Sequence, residues 1–168
     1  MGGCSPTTRC RTLGTRNTPD AASGANAHGR KHMGATVTAL VGFAGWFALL
    51  SLALGIYRIG LVLSGQKAAN AFATDGSDLA PAGHRLTRAR DNCYETLPLF
   101  AALALGASIA GRFDVTDPLA MWVLYARVGQ SVVHVASTSV PAVQLRAGLF
   151  FAQVLIYLWW ALRLLGSS

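Results

Sequence analysis

The sequence predicts an all-α protein built as a bundle of four transmembrane helices, and three observations carry that prediction. Only 12% of the 168 residues are charged, 52% are apolar and the mean hydropathy is +0.41, whereas about 25% of residues in soluble domains are charged. Residues 35–57 run for 23 residues without a charge, and about 20 apolar residues suffice to cross a bilayer. Pro, Gly and polar clusters divide the rest of the chain into segments long enough for three further spans with tight connections. All four belong to one membrane domain, residues 33–168.

Residues 1–32 are rich in Gly, Ser, Thr, Ala and Arg and have no hydrophobic period, so they are expected to form a disordered basic tail. They do not make a signal peptide: the apolar run behind them is too long and no small-residue cleavage site follows it. Met33 stands directly before the first hydrophobic segment. The expectation is that translation begins there in nature and that the tail is an over-extended reading frame.

The first helix is expected to start near Ala35, with Arg58 snorkelling at its far end. Residues 64–83, which hold Gly65, Asp75, Gly76, Asp78 and Pro81, read as a polar connection. The second helix is placed over 84–110, with its apolar part from Thr96 onward. Residues 111–117 read as a short turn, and Pro118 as the first residue of a third helix that runs to about Ser137. Pro141 opens the fourth, which ends near Leu165, where Trp159 and Trp160 suit an interfacial belt. Arg58, Lys67, Arg85, Arg88 and Arg90 cluster on the first connection and its flanks, which puts that connection in the cytoplasm and both termini outside. The five basic residues of the tail leave this orientation open if the tail is translated.

The net charge of +7 and pI near 10.0 do not indicate nucleic acid. The tail holds +4 of that charge, and no basic stripe interleaved with aromatics occurs. Cys4, Cys10 and Cys93 are odd in number and lack metal-ligand spacing, so neither a disulfide framework nor a metal site is implied. Cys93 reads as a small packing residue. No Gly-rich phosphate loop stands between a strand and a helix.

Ionisable residues in the apolar zone carry the functional reading, because each costs about 2.5–3.5 kcal/mol at a helix centre on insertion scales and needs a partner or a water-filled cavity. Arg88, Asn92 and Glu95 recur at i, i+4 and i+7 and so form one stripe on the second helix. Arg127, Ser131 and His134 repeat the spacing on the third, with Gln130 beside them, and Arg146 lies near the entry to the fourth. A structural reading has Glu95 neutralising Arg88 or Arg127, Asn92 bonding a neighbouring helix, Arg88 snorkelling and His134 packed in the core. A functional reading starts from the surplus of positive charge, which calls for an anion with several carboxylates held by arginine forks. An arginine beside a thiol also favours the thiolate, although spacing alone does not say that the ligand has one.

The run Arg88-Ala89-Arg90-Asp91-Asn92-Cys93-Tyr94-Glu95-Thr96-Leu97-Pro98-Leu99-Phe100 resembles the second-helix motif of the MAPEG family, the membrane-associated proteins of eicosanoid and glutathione metabolism. Ala126-Arg127-Val128 and the stretch from Pro141 to Arg146 are similar to that family's third and fourth helices. The resemblance covers residues 35–165, nearly everything outside the tail. It implies a four-helix protomer that forms a homotrimer in the lipid bilayer, with glutathione or another low-molecular-weight thiol as co-substrate between subunits. Matched to the family pattern, Arg88, Asn92 and Glu95 contact glutathione, Arg127 lines the same site and Arg146 stabilises the thiolate. Arg90, Asp91, Gln130 and His134 depart from residues frequent in the family. These departures imply a bacterial-type member, in a bacterial inner membrane, rather than an eicosanoid-forming synthase.

The function so implied is a membrane-bound glutathione-dependent transferase or peroxidase acting on small hydrophobic electrophiles. The alternatives are a non-catalytic membrane scaffold of the same fold, in which the arginines hold helices or lipid headgroups, and a small four-helix transporter with Glu95 as a proton-coupled carboxylate.

Overall fold

A computed structural model of the protein describes residues 34–166; the expected disordered tail and the start at Met33 lie outside the described residues. Four helices follow in order: α1 (Ala35–Leu63), α2 (Pro81–Ile109), α3 (Phe113–Ala136) and α4 (Val140–Leu165). At 1.5 Å per residue the 24 residues of α3, the shortest, reach about 36 Å, enough to cross a hydrocarbon core of about 30 Å. Every pair of helices packs together except α1 with α4. The central pair is therefore α2 and α3, the two helices with the polar stripes.

Aromatic rings fill the core. Phe100 stacks on Phe43 at 5.7 Å, on Trp160 at 5.9 Å and on Tyr157 at 6.1 Å between ring centroids. Outward, Leu52, Ile56, Trp122, Leu155, Leu158 and Leu162 are all more than half exposed. An apolar exterior this extensive would not persist in water. Around α1 and α4, both long and apolar enough to cross a membrane, it makes the chain a multi-pass integral membrane protein.

Two helix starts differ from expectation, each for a local reason, whereas α1 ends at Leu63, just before the expected connection. Arg58, expected to snorkel, does not reach outward. Its guanidinium folds back over the Phe72 ring at 5.4 Å and donates to the Ala73 carbonyl at 3.2 Å, pinning the connection to the helix. α2 begins at Pro81, the N1 position where a missing N–H costs nothing. α3 begins at Phe113, so Pro118 lies inside it rather than at its start. The carbonyl that Pro118 leaves without a donor is that of Asp114, in the first turn, whose side chain is 67% exposed. The early start also puts Asp117 against the N-terminus of α1. There its carboxylate accepts the Thr36 N–H at 2.9 Å and the Thr36 hydroxyl at 2.5 Å, capping α1 from another helix.

Only one of the paired tryptophans suits an interface. Trp159 is 42% exposed and stacked by Arg163, but Trp160, 100° further round the helix, is wholly buried in the core. In the connection, Lys67 pairs with Asp78 and Asp75 accepts from Ser77. These hydrogen bonds hold both carboxyls below the ordinary carboxylate range.

Candidate functional site

The stripe on α2 faces α3 near one end of the bundle. Arg85 fixes the two helices there by donating from Nε to the Val135 carbonyl at 2.9 Å, close to the end of α3. Just inside this contact, Arg88, Asp91, Asn92 and Glu95 meet His134 of α3 around a concavity of about 250 Å³. A second concavity, of about 280 Å³, adjoins it and is walled by Asn92, Gln130, His134, Arg146, Phe150 and Phe151. Asn92 and His134 belong to both. Of the residues expected at the site, Arg88, Asn92 and Glu95 thus share one hollow, and Arg146 faces the next.

Arg127 is placed differently. It is fully buried behind Asn92 and lines neither concavity. Its Nη1 donates to the Asn92 side-chain oxygen at 3.0 Å, and its guanidinium lies 5.5 Å from the Phe43 ring centroid. Its Nε and Nη2 make no well-formed hydrogen bond, the Tyr157 hydroxyl being the polar group beside the guanidinium. Among the described residues no ion pair involves Arg88, Glu95, Arg127 or Arg146. Glu95 therefore forms no direct ion pair with Arg88 or Arg127, although its charge favours the Arg127 guanidinium from a distance, and a positive surplus stands. Asn92 does bond a neighbouring helix, through Arg127.

Two of the departures from the family motif answer each other. Arg90 Nη2 pairs with Asp91 at 2.5 Å, so the extra acid beside Arg88 is neutralised by the extra base next to it. Gln130 is buried and donates to the Arg146 carbonyl at 3.3 Å, while its side-chain oxygen accepts from Gln153 at 3.3 Å. Cys93 is buried and lies 3.4 Å from the Ser131 hydroxyl, which itself donates to the Arg127 carbonyl. A polar seam therefore joins α2 to α3 through Asn92, Arg127, Cys93 and Ser131, and α3 to α4 through Gln130 and Gln153.

Gln153 and Tyr157 are the parts of this seam that sequence reasoning missed. Both are buried, and the Tyr157 hydroxyl and Gln153 Oε1 make no well-formed hydrogen bond. A signal was present: Arg146, Gln153, Tyr157 and Trp160 recur at i, i+7, i+11 and i+14 and so share one face of α4.

The family model that matches this chain is that of the MAPEG family, over residues 36–166, a span that takes in all four helices and both concavities. No curated protein and no solved structure matches it.

Proposed function

The chain belongs to the MAPEG family, and on that premise we propose that it is a glutathione-dependent transferase or peroxidase whose acceptors are small hydrophobic electrophiles drawn from the bilayer. Members of the family generally act in this way on hydrophobic substrates. The observation that carries the reading here is the pair of adjoining concavities joined through Asn92 and His134. One offers an unpaired guanidinium and carboxylate, Arg88 and Glu95, suited to the charged ends of a tripeptide. The other offers the unpaired Arg146 beside the apolar rings of Phe150 and Phe151.

In this reading Arg88 takes a carboxylate of glutathione through its planar fork. Glu95 takes the ammonium, and Asn92 hydrogen-bonds the peptide. Arg127 holds the Asn92 side chain in place rather than touching the ligand. Arg146 pairs with the sulfur, favouring the thiolate over the thiol and so supplying a nucleophile near neutral pH. Phe150 and Phe151 give an apolar acceptor a surface beside that sulfur.

The assembly in this reading is a homotrimer. Glu95 is exposed on the protomer, midway along α2. An ionised side chain facing hydrocarbon there costs about 2.5–3.5 kcal/mol on insertion scales. A neighbouring copy laid over the open side of the first concavity removes that cost and encloses the peptide.

Calorimetric titration of glutathione into the detergent-purified protein tests the reading. Binding is expected in wild type, weakened about tenfold or more by Arg88→Ala and by Glu95→Gln, since a hydrogen bond to a charged group is worth about 1.5–3 kcal/mol. A protein that binds no low-molecular-weight thiol would overturn it.

A further inference from the structure

We propose that His134 is the group that takes the proton from the bound thiol. This rests on the thiol-binding reading above and adds a base to it. His134 lies in the last turn of α3 and is one of the two residues common to both concavities. The other, Asn92, carries an amide that cannot accept a proton. The imidazole is partly buried, and among the described residues no hydrogen bond engages it.

The surroundings narrow the choice of acceptor. From α2, His84, Arg88, Asp91 and Glu95 face this region; from α4, Arg146; and Arg127 lies deeper on α3 itself. Arginines stay protonated and can only donate, and Arg146 and Arg88 oppose an imidazolium between them, so His134 holds a proton only while the negative charge of the thiolate offsets theirs. Asp91 is occupied by Arg90. Glu95 is an acceptor, but it lines the first concavity and not the one that holds Arg146. In that second hollow, His134 is the one side chain able to receive a proton.

The step balances without a further reactant. The S–H bond breaks, its electron pair stays on sulfur beside Arg146, and the proton passes to an imidazole nitrogen. When the sulfur adds to an activated alkene, the S–C bond forms and the alkene π pair moves to the neighbouring carbon. That carbanion takes the proton back from the imidazolium. The base thus serves addition acceptors at both ends of the reaction, whereas a displaced halide would need no proton returned.

The test counts protons. Glutathione is added to the detergent-purified wild type in weakly buffered solution near pH 7.5, with thiolate absorbance and a pH indicator followed together. If His134 keeps the proton, thiolate appears in wild type with much less than one proton released to solvent. In His134→Gln and His134→Asn, each thiolate that forms is accompanied by about one proton, because thiolate and imidazolium no longer titrate as a coupled pair. Turnover with an activated alkene is expected to fall by about 10²–10⁴-fold in the variants. A wild type that releases about one proton per thiolate overturns the proposal while leaving thiol activation intact. Absence of both thiol binding and thiolate in wild type removes the reading beneath it as well. The wild-type count needs no variant, so a misfolded substitution does not spare the proposal.

Discussion

Replacing Arg127 with methionine separates two roles of this buried side chain, carrying charge into the bundle and holding Asn92 toward the site. The substitution removes the 3.0 Å hydrogen bond to Asn92 and the stacking on Phe43. It also removes a buried charge two of whose nitrogens make no well-formed hydrogen bond. The losses come to about 1.5–3 kcal/mol for the charged hydrogen bond and about 1 kcal/mol for the cation–π contact. Relief from placing a guanidinium at membrane depth returns about 2.5–3.5 kcal/mol. These nearly cancel, so thermal unfolding in detergent is expected to report a change of no more than about 1.5 kcal/mol either way. Glutathione affinity, by contrast, should fall about tenfold, because the Asn92 amide loses its anchor. Measured with Asn92→Ala and the double variant, the cycle should show a coupling of about 1 kcal/mol or more, the double variant binding no worse than Asn92→Ala alone. Additive losses would refute the reasoning, since they would mean that Arg127 meets the ligand independently of Asn92.

Two further outcomes test the scaffold that positions the site. A methyl group at Gly83 would lie 2.5 Å from Tyr57 Cε1 and 3.0 Å from Leu79 Cβ. Gly83→Ala should therefore push α2 off α1 and destabilise the protein by about 1–3 kcal/mol, read as a lowered midpoint of thermal unfolding; an unchanged midpoint would contradict the close approach. In the connection, the hydrogen bond from Lys67 holds the Asp78 carboxyl below its ordinary value of 3.8. Its contribution is therefore complete above that value and lost as pH falls through the lower folded one. Protection from hydrogen exchange over residues 64–80, relative to the intrinsic rate at each pH, should fall as pH drops below about 4. In Asp78→Asn the segment should be loosened already at neutral pH, leaving only the step due to Asp75.

α1 could be read from sequence because an uncharged run of 23 residues has one stable home, and α4 because 16 uncharged residues lie between Arg146 and Arg163. The stripe on α2 was legible for the same reason in reverse: Arg88, Asn92 and Glu95 are costly in lipid, and their spacing fixes a common face. The spacing of Arg127, Ser131 and His134 predicts one face as well, but not depth. Packing buries Arg127 and Ser131 in the seam and leaves His134 at the junction of the two concavities. Pro118 points to too late a start for α3 because the preference of proline for N1, which Pro81 obeys, does not hold there. Nothing local to residues 111–118 reveals that Asp117 is needed one turn into the helix to cap α1. Gln153 and Tyr157 carry no charge and so give a weak signal, although their spacing from Arg146 marks the same face.

The central claim is that Arg146 pairs with the sulfur of a bound thiol, and ultraviolet absorbance of the thiolate measures it most directly. Glutathione added to detergent-purified protein at neutral pH should produce the thiolate band in wild type, retain part of it in Arg146→Lys and lose it in Arg146→Ala while the peptide still binds. A band of equal size in Arg146→Ala would contradict the account, as would a wild type that binds glutathione and leaves it wholly as the thiol.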